Sequence, residues 1–168
     1  MEVLMSVLII SLITGLVGPV MSILTSAIDA QINRTDLAES SDLAVQKMDR
    51  EISLLRDDQS VVTASATQFE FVDRSARQIR YRLVGTTLMR SENGSEYGLA
   101  DLMQASGLAF TYLDESGSAI ASPTVGLGVK TNIRSVNVTF VFQNGTQILN
   151  SETRIILKNI AQDSDLFF

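Results

Sequence analysis

The chain has 168 residues, 45% of them hydrophobic, with 13 Lys and Arg against 19 Asp and Glu and a net charge of −6. That acidic balance, with no stretch that gathers Lys and Arg, argues against a nucleic-acid footprint, which needs clustered cations for phosphate neutralisation. There is no Cys and no His, which removes thiol chemistry, disulfides, the usual zinc ligand sets and the commonest general base.

The hydrophobic residues crowd at the front. From Val3 to Ile28 there is no charge over 26 residues, bounded by Glu2 and Asp29. As a helix this run is about 39 Å long, enough to cross a hydrocarbon core of about 30 Å. A secretory signal would have a basic front, a shorter apolar region and a small-residue cleavage site. A retained membrane helix is therefore expected over 1–28. Glu2 places a carboxylate at the edge of that run, where ionisable groups are costly and are usually paired. Pro19, with Gly15 and Gly18 just before it, removes a backbone donor and is expected to kink or loosen the helix near Gly15.

Helical spacing continues past Asp29. Ala38, Ser41, Val45, Met48, Ile52 and Leu55 recur at intervals of 3, 4, 3, 4 and 3, one stripe of a 3.6-residue period. Glu39, Asp42, Lys47, Asp49 and Arg50 fall off that stripe. The span 29–57 is expected to be the amphipathic second half of the same helix, ended by Asp57-Asp58. Val45, Met48, Ile52 and Leu55 are expected to pack on a sheet.

From 58 to 168 the period becomes 2, as in a β-rich head. Phe69 and Phe71 alternate with Gln68 and Glu70; a turn from Asp73 to Arg77 leads to Ile79, Tyr81 and Leu83 alternating with Arg80 and Arg82, which reads as a hairpin. Leu108, Phe110 and Tyr112 precede a turn at Asp114-Glu115-Ser116-Gly117. Val136, Val138, Phe140 and Phe142 share a face before Asn144-Gly145, a strong hairpin signal, and Ile148 to Leu157 returns. One antiparallel sheet with one apolar face, covered by the helix stripe, is expected. The stretches 91–98 and 119–131 read as loops, and 162–168 as a frayed end. The expected fold class is α+β.

Chemistry-bearing patterns are few. Asp57, Asp58, Asp114 and Glu115 are the carboxylates open to acid/base work, but the first pair ends a helix and the second sits in a turn. Serine has no visible base partner, and no Gly-rich phosphate loop is present. An enzyme is not expected, and neither is a cofactor. Calcium is weighed and not predicted, since no spaced acidic loop stands out. The Asn-x-Ser/Thr sequons at Asn33, Asn93, Asn137 and Asn144 carry no prediction of glycans.

These residues together resemble the type IV pilin-like family, which includes the pilins and the pseudopilins of type II secretion. Glu2-Val3-Leu4 is similar to the Glu-Val-Leu of that family's N-terminal segment, and Pro19 lies 17 residues after Glu2, the separation the family keeps. More loosely, Asp49-Arg50-Glu51-Ile52, Ala66-Thr67-Gln68-Phe69-Glu70-Phe71, Ile79-Arg80-Tyr81-Arg82-Leu83 and the segment 107–114 resemble minor pilins and J-type minor pseudopilins. The family begins with a short basic leader ending in Gly, whereas Met1 alone precedes Glu2 here.

The resemblance implies a pilin-like head on a long helix and a bacterial inner-membrane location. It implies assembly through the N-terminal helices into a bundle with other pilin or pseudopilin subunits, and prepilin peptidase as a partner where an upstream leader exists. In such a bundle Glu2 would accept a neighbour's N-terminal amine, and the Gly15–Pro19 segment would let the helix stretch. The excess of acidic over basic groups between Asp29 and Arg56 makes a poor cytoplasmic flank, so the head is expected to be periplasmic or external. The competing expectation is a signal-anchored extracytoplasmic binding or sensing domain.

Overall fold

A computed structural model describes residues 2–57, 60–120 and 132–158. Among the described residues one long helix, α1 (Glu2–Ile52), precedes eight strands. These are β1 (Val61–Ala64), β2 (Gln68–Val72), β3 (Gln78–Val84), β4 (Thr87–Glu92), β5 (Ser95–Ala100), β6 (Met103–Leu113), β7 (Ser135–Asn144) and β8 (Gln147–Ile156). The architecture is α+β, with every strand pairing antiparallel.

The helix runs without a break through Pro19, so the loosening expected at Gly15 does not interrupt it. Ser11, Thr14 and Thr25 donate their hydroxyl protons to the carbonyls of Val7, Ile10 and Met21 at 2.8–2.9 Å. Such back-bonding keeps polar side chains of an apolar helix satisfied where water is absent.

Helix termination differs from expectation. α1 ends at Ile52 rather than near Asp57 because the backbone of the next residues is taken by the first sheet. Leu55 forms a bridge with Asp73, the Arg56 N–H donates to the Val72 carbonyl at 3.2 Å, and the Arg74 N–H donates to the Leu54 carbonyl at 3.1 Å. Asp57 then accepts from Arg56 Nε and Ser60 Oγ, and Asp58 lies outside the described residues.

The single expected sheet is two. β1 to β5 form a five-stranded meander, and β6-β7-β8 form a separate three-stranded sheet. The segment 91–98, read as a loop, is the β4–β5 hairpin, turned at Asn93 (φ +50°) and Gly94 (φ +87°). Both turn residues hold positive φ, the demand of a two-residue hairpin loop that Asn-Gly meets. The β2–β3 hairpin, β6 and the β7–β8 hairpin match the alternation in the sequence. Of the expected loop at 119–131, residues 121–131 lie outside the described residues, as does the end at 162–168.

One core joins the helix to both sheets. Phe69, Phe71, Phe110 and Tyr112 form an aromatic cluster with ring centroids 5.3–6.5 Å apart. Phe140 and Phe142 stack across β7, and α1 packs on β5, β7 and β8. Gly107 sits at an irregularity in β6 where a Cβ would strike the Val141 carbonyl oxygen.

Candidate functional site: a bare apolar helix clamped to the head

The helix faces two environments. In its first half the described side chains are exposed all round, Met5, Ile10, Leu12, Val20, Ile23 and Ile28 among them. No water-facing stripe relieves that exposure, so this half requires an apolar medium or apolar neighbours. It is one N-terminal helix long and apolar enough to cross a membrane. Gly15 and Gly18 have open space where a Cβ would stand, and Pro19 is exposed beside them. Glu2 opens the helix, but its side chain lies outside the described residues.

In the second half the buried stripe differs in phase from the one read in the sequence. Leu37, Ser41, Ala44, Met48 and Ile52 are buried. Ala38 is exposed and Val45 only half-buried. Of the expected packing residues, Met48 and Ile52 are buried. Leu55 is buried beyond the helix end, through its bridge to Asp73. The stripe moves because the helix touches two sheets, and a contact with two surfaces is wider than one heptad-like seam.

Glu51 was not selected by the apolar pattern, yet it is the most connected residue of the interface. Its carboxylate accepts from Arg90 Nε and Nη2, each at 2.8 Å, from the Tyr81 hydroxyl, and from Lys47 Nζ at 3.0 Å. Arg90 is almost wholly buried, its side chain 1% exposed. The register explains the meeting: Phe69, Tyr81, Arg90 and Tyr97 are successive cross-strand partners from β2 to β5. That row lies on the face the helix covers.

The ion pairs continue away from the helix. Arg90 also meets Glu92 at 2.7 Å, Glu92 meets Arg77 at 3.3 Å, and Arg77 forks onto buried Asp73 at 2.6–2.8 Å. Asp73 is the residue bridged to Leu55, so charges and backbone close one ring around the helix end.

The pKa values follow from this geometry. Burial pushes the Glu51 carboxyl upward, but the bonds from Arg90, Tyr81 and Lys47 outweigh it and hold it below the ordinary value. Burial likewise opposes ionisation of Asp73, and its bonds from the Arg77 N–H and guanidinium win, again lowering it. Burial and then the Glu51 carboxylate push the Tyr81 hydroxyl up, so it stays a donor. A planar fork on a carboxylate fixes geometry as well as adding energy.

At the neck, the tip of the β7–β8 hairpin reaches the helix. Asn144 Nδ2 donates to Asn33 Oδ1 at 3.0 Å, and Arg34 Nε donates to Gln147 Oε1 at 3.2 Å. Asn144 pairs with Gln147, so Gly145 and Thr146 form the loop, with Gly145 at φ +59°.

The expected turn at Asp114 is present: its carboxylate accepts from Ser116 Oγ at 2.7 Å and from the Ser118 N–H at 2.9 Å. The bond from Ser116 and then that from Ser118 lower its pKa, an Asx-type use of a carboxylate. Asp114 and Glu115 border a cleft with Ile120, Asn132 and Arg134.

Sequence reasoning missed Glu51, Arg90, Leu37 and Ala44. The signal for Glu51 was a charge three residues after Met48 on the apolar side. For Arg90 it was Asn93-Gly94, which marks a hairpin and so makes β4 a strand. No protein-family model matches the chain, and no curated protein sequence matches it.

Proposed function

We propose that this chain is a structural subunit that assembles through its N-terminal helix: a minor pilin or minor pseudopilin of a type IV pilus or type II secretion filament. Before assembly the helix holds it in the bacterial inner membrane as a single-pass protein, with the head on the periplasmic side. The observation that carries this reading is the division of α1. Its first half is bare on every described side, while its second half is fixed to the head by a buried stripe and the Glu51–Arg90 pair.

A rod built this way exchanges lipid neighbours for sister helices without unfolding its head. The spacing from Glu2 to Pro19 and the layout of one long helix ahead of an antiparallel head support the same reading. In the assembled bundle the Glu2 carboxylate accepts a neighbour's N-terminal amine, an ion pair strengthened where the dielectric is low.

The test is Glu2→Ala in the native host. The variant is expected in the membrane fraction at the wild-type level and missing from sheared filaments. Normal incorporation removes the ion-pair role. A wild-type chain that never leaves the membrane by shearing supports a permanently anchored binding or sensing domain instead.

A further inference from the structure

We propose that the tip of the β7–β8 hairpin, Asn144 to Ile148, is a bilayer-contact element that rests in the lipid headgroup layer and fixes the head's orientation on the membrane. This rests on the reading that the first half of α1 spans a bilayer, and adds a surface of the head to it.

The height of the tip along the helix carries the inference. The charge-free run ends at Ile28, and the tip is bonded to Asn33 and Arg34. Five residues of helix rise about 7.5 Å. The polar layer on each side of a bilayer is about 5–7.5 Å deep, so a group held at Asn33 lies at its outer boundary. The apolar run, about 39 Å long, exceeds the hydrocarbon thickness of about 30 Å, and helices accommodate such excess by tilting. Tilt toward the hairpin lowers the tip further into the headgroups.

The chemistry of the tip suits that layer. Ile148 is 58% exposed on the outward face of β8, and Ile32 on the adjoining helix is 52% exposed. The rest of the tip, Asn144, Gly145, Thr146 and Gln147, with Gln143 before it, is uncharged. Arg34, bonded to Gln147, supplies a cation at the tip, a residue type that pairs with lipid phosphate while its stem stays apolar. The two tip-to-helix bonds make this contact continuous with the spanning helix rather than a separate patch.

The chain contains no Trp, so a single introduced indole reports its own depth. Ile23→Trp, Ile148→Trp and Ile156→Trp all fall on exposed positions, at 68%, 58% and 57%. Ile148 and Ile156 lie on one strand face, about 27 Å apart at about 3.4 Å per residue. Each full-length variant is reconstituted into phosphatidylcholine vesicles whose lipids carry bromine at the upper acyl chain. Ile148→Trp is expected to be quenched several times more than Ile156→Trp, with emission shifted to the blue of it, and Ile23→Trp is expected to be strongly quenched. Equal, weak quenching at 148 and 156 beside strong quenching at 23 overturns the tip contact and leaves the spanning helix standing. Loss of quenching at 23 removes the spanning helix, and the tip contact with it.

Discussion

Arg90 on β4 lies fork-on against Glu51 in the last turn of α1, with Nε and Nη2 each 2.8 Å from a carboxylate oxygen, across 39 residues of sequence. Removing one partner of such a buried pair strands the other charge, at a cost of about 3–5 kcal/mol. Arg90→Met in the detergent-solubilised chain is therefore expected to lower the thermal midpoint sharply. Arg90→Met combined with Glu51→Leu is expected to lose less than Arg90→Met alone. A double variant that loses the sum of both single changes contradicts the coupling.

Acid sensitivity follows from the same carboxylates. Glu51 and Asp73 have folded pKa values below their ordinary 4.5 and 3.8. Groups depressed by folding stabilise fully above the unfolded value, and that contribution is lost as pH falls through the folded one. The midpoint is thus expected to hold from neutral pH down to about 5 and to fall below it. Glu51→Gln is expected to start lower and fall less on acidification; an unchanged acid slope removes Glu51 from this role.

The phase of the helix stripe is open to a charge scan. Ala44, which the sequence pattern leaves off its stripe, is fully buried, whereas Ala38, which that pattern places on the stripe, is exposed. A lysine at the buried position must desolvate its ammonium or distort the interface. Ala44→Lys is expected to cost about 3 kcal/mol or more, and Ala38→Lys to stay within about 0.5 kcal/mol. Equal effects, read from thermal unfolding, place the stripe elsewhere.

Gly107 answers to sterics rather than to turn geometry. A Cβ there meets the Val141 carbonyl oxygen, with Gln104 O a further 3.0 Å neighbour, and backbone cannot step aside as a side chain can. Gly107→Ala is expected to destabilise by about 1–3 kcal/mol. Ala76 offers the opposite case, held at φ +60° in the β2–β3 turn. Ala76→Gly relieves a left-handed strain of about 1–2 kcal/mol, partly offset by a more flexible unfolded chain. Its midpoint is expected to equal or exceed wild type.

By itself the sequence determined whatever depends on local periodicity. A charge-free, mostly apolar run of this length reads as one helix long enough to cross a bilayer, and its bounds at Glu2 and Asp29 are legible residue by residue. Alternation likewise marked β2, β3, β6, β7 and β8, because a strand with one wet face must alternate. Tertiary structure decided what depends on residues far apart in the chain. The strands divide into two sheets because β6 pairs with β7 and not with β5. The helix ends at Ile52 because Val72 and Asp73 claim the backbone that follows. Glu51 is drawn inside because Arg90, Tyr81 and Lys47 converge there. No local pattern announces such a meeting: a carboxylate in an amphipathic helix reads as solvated until its partners are in place to outweigh the loss of water.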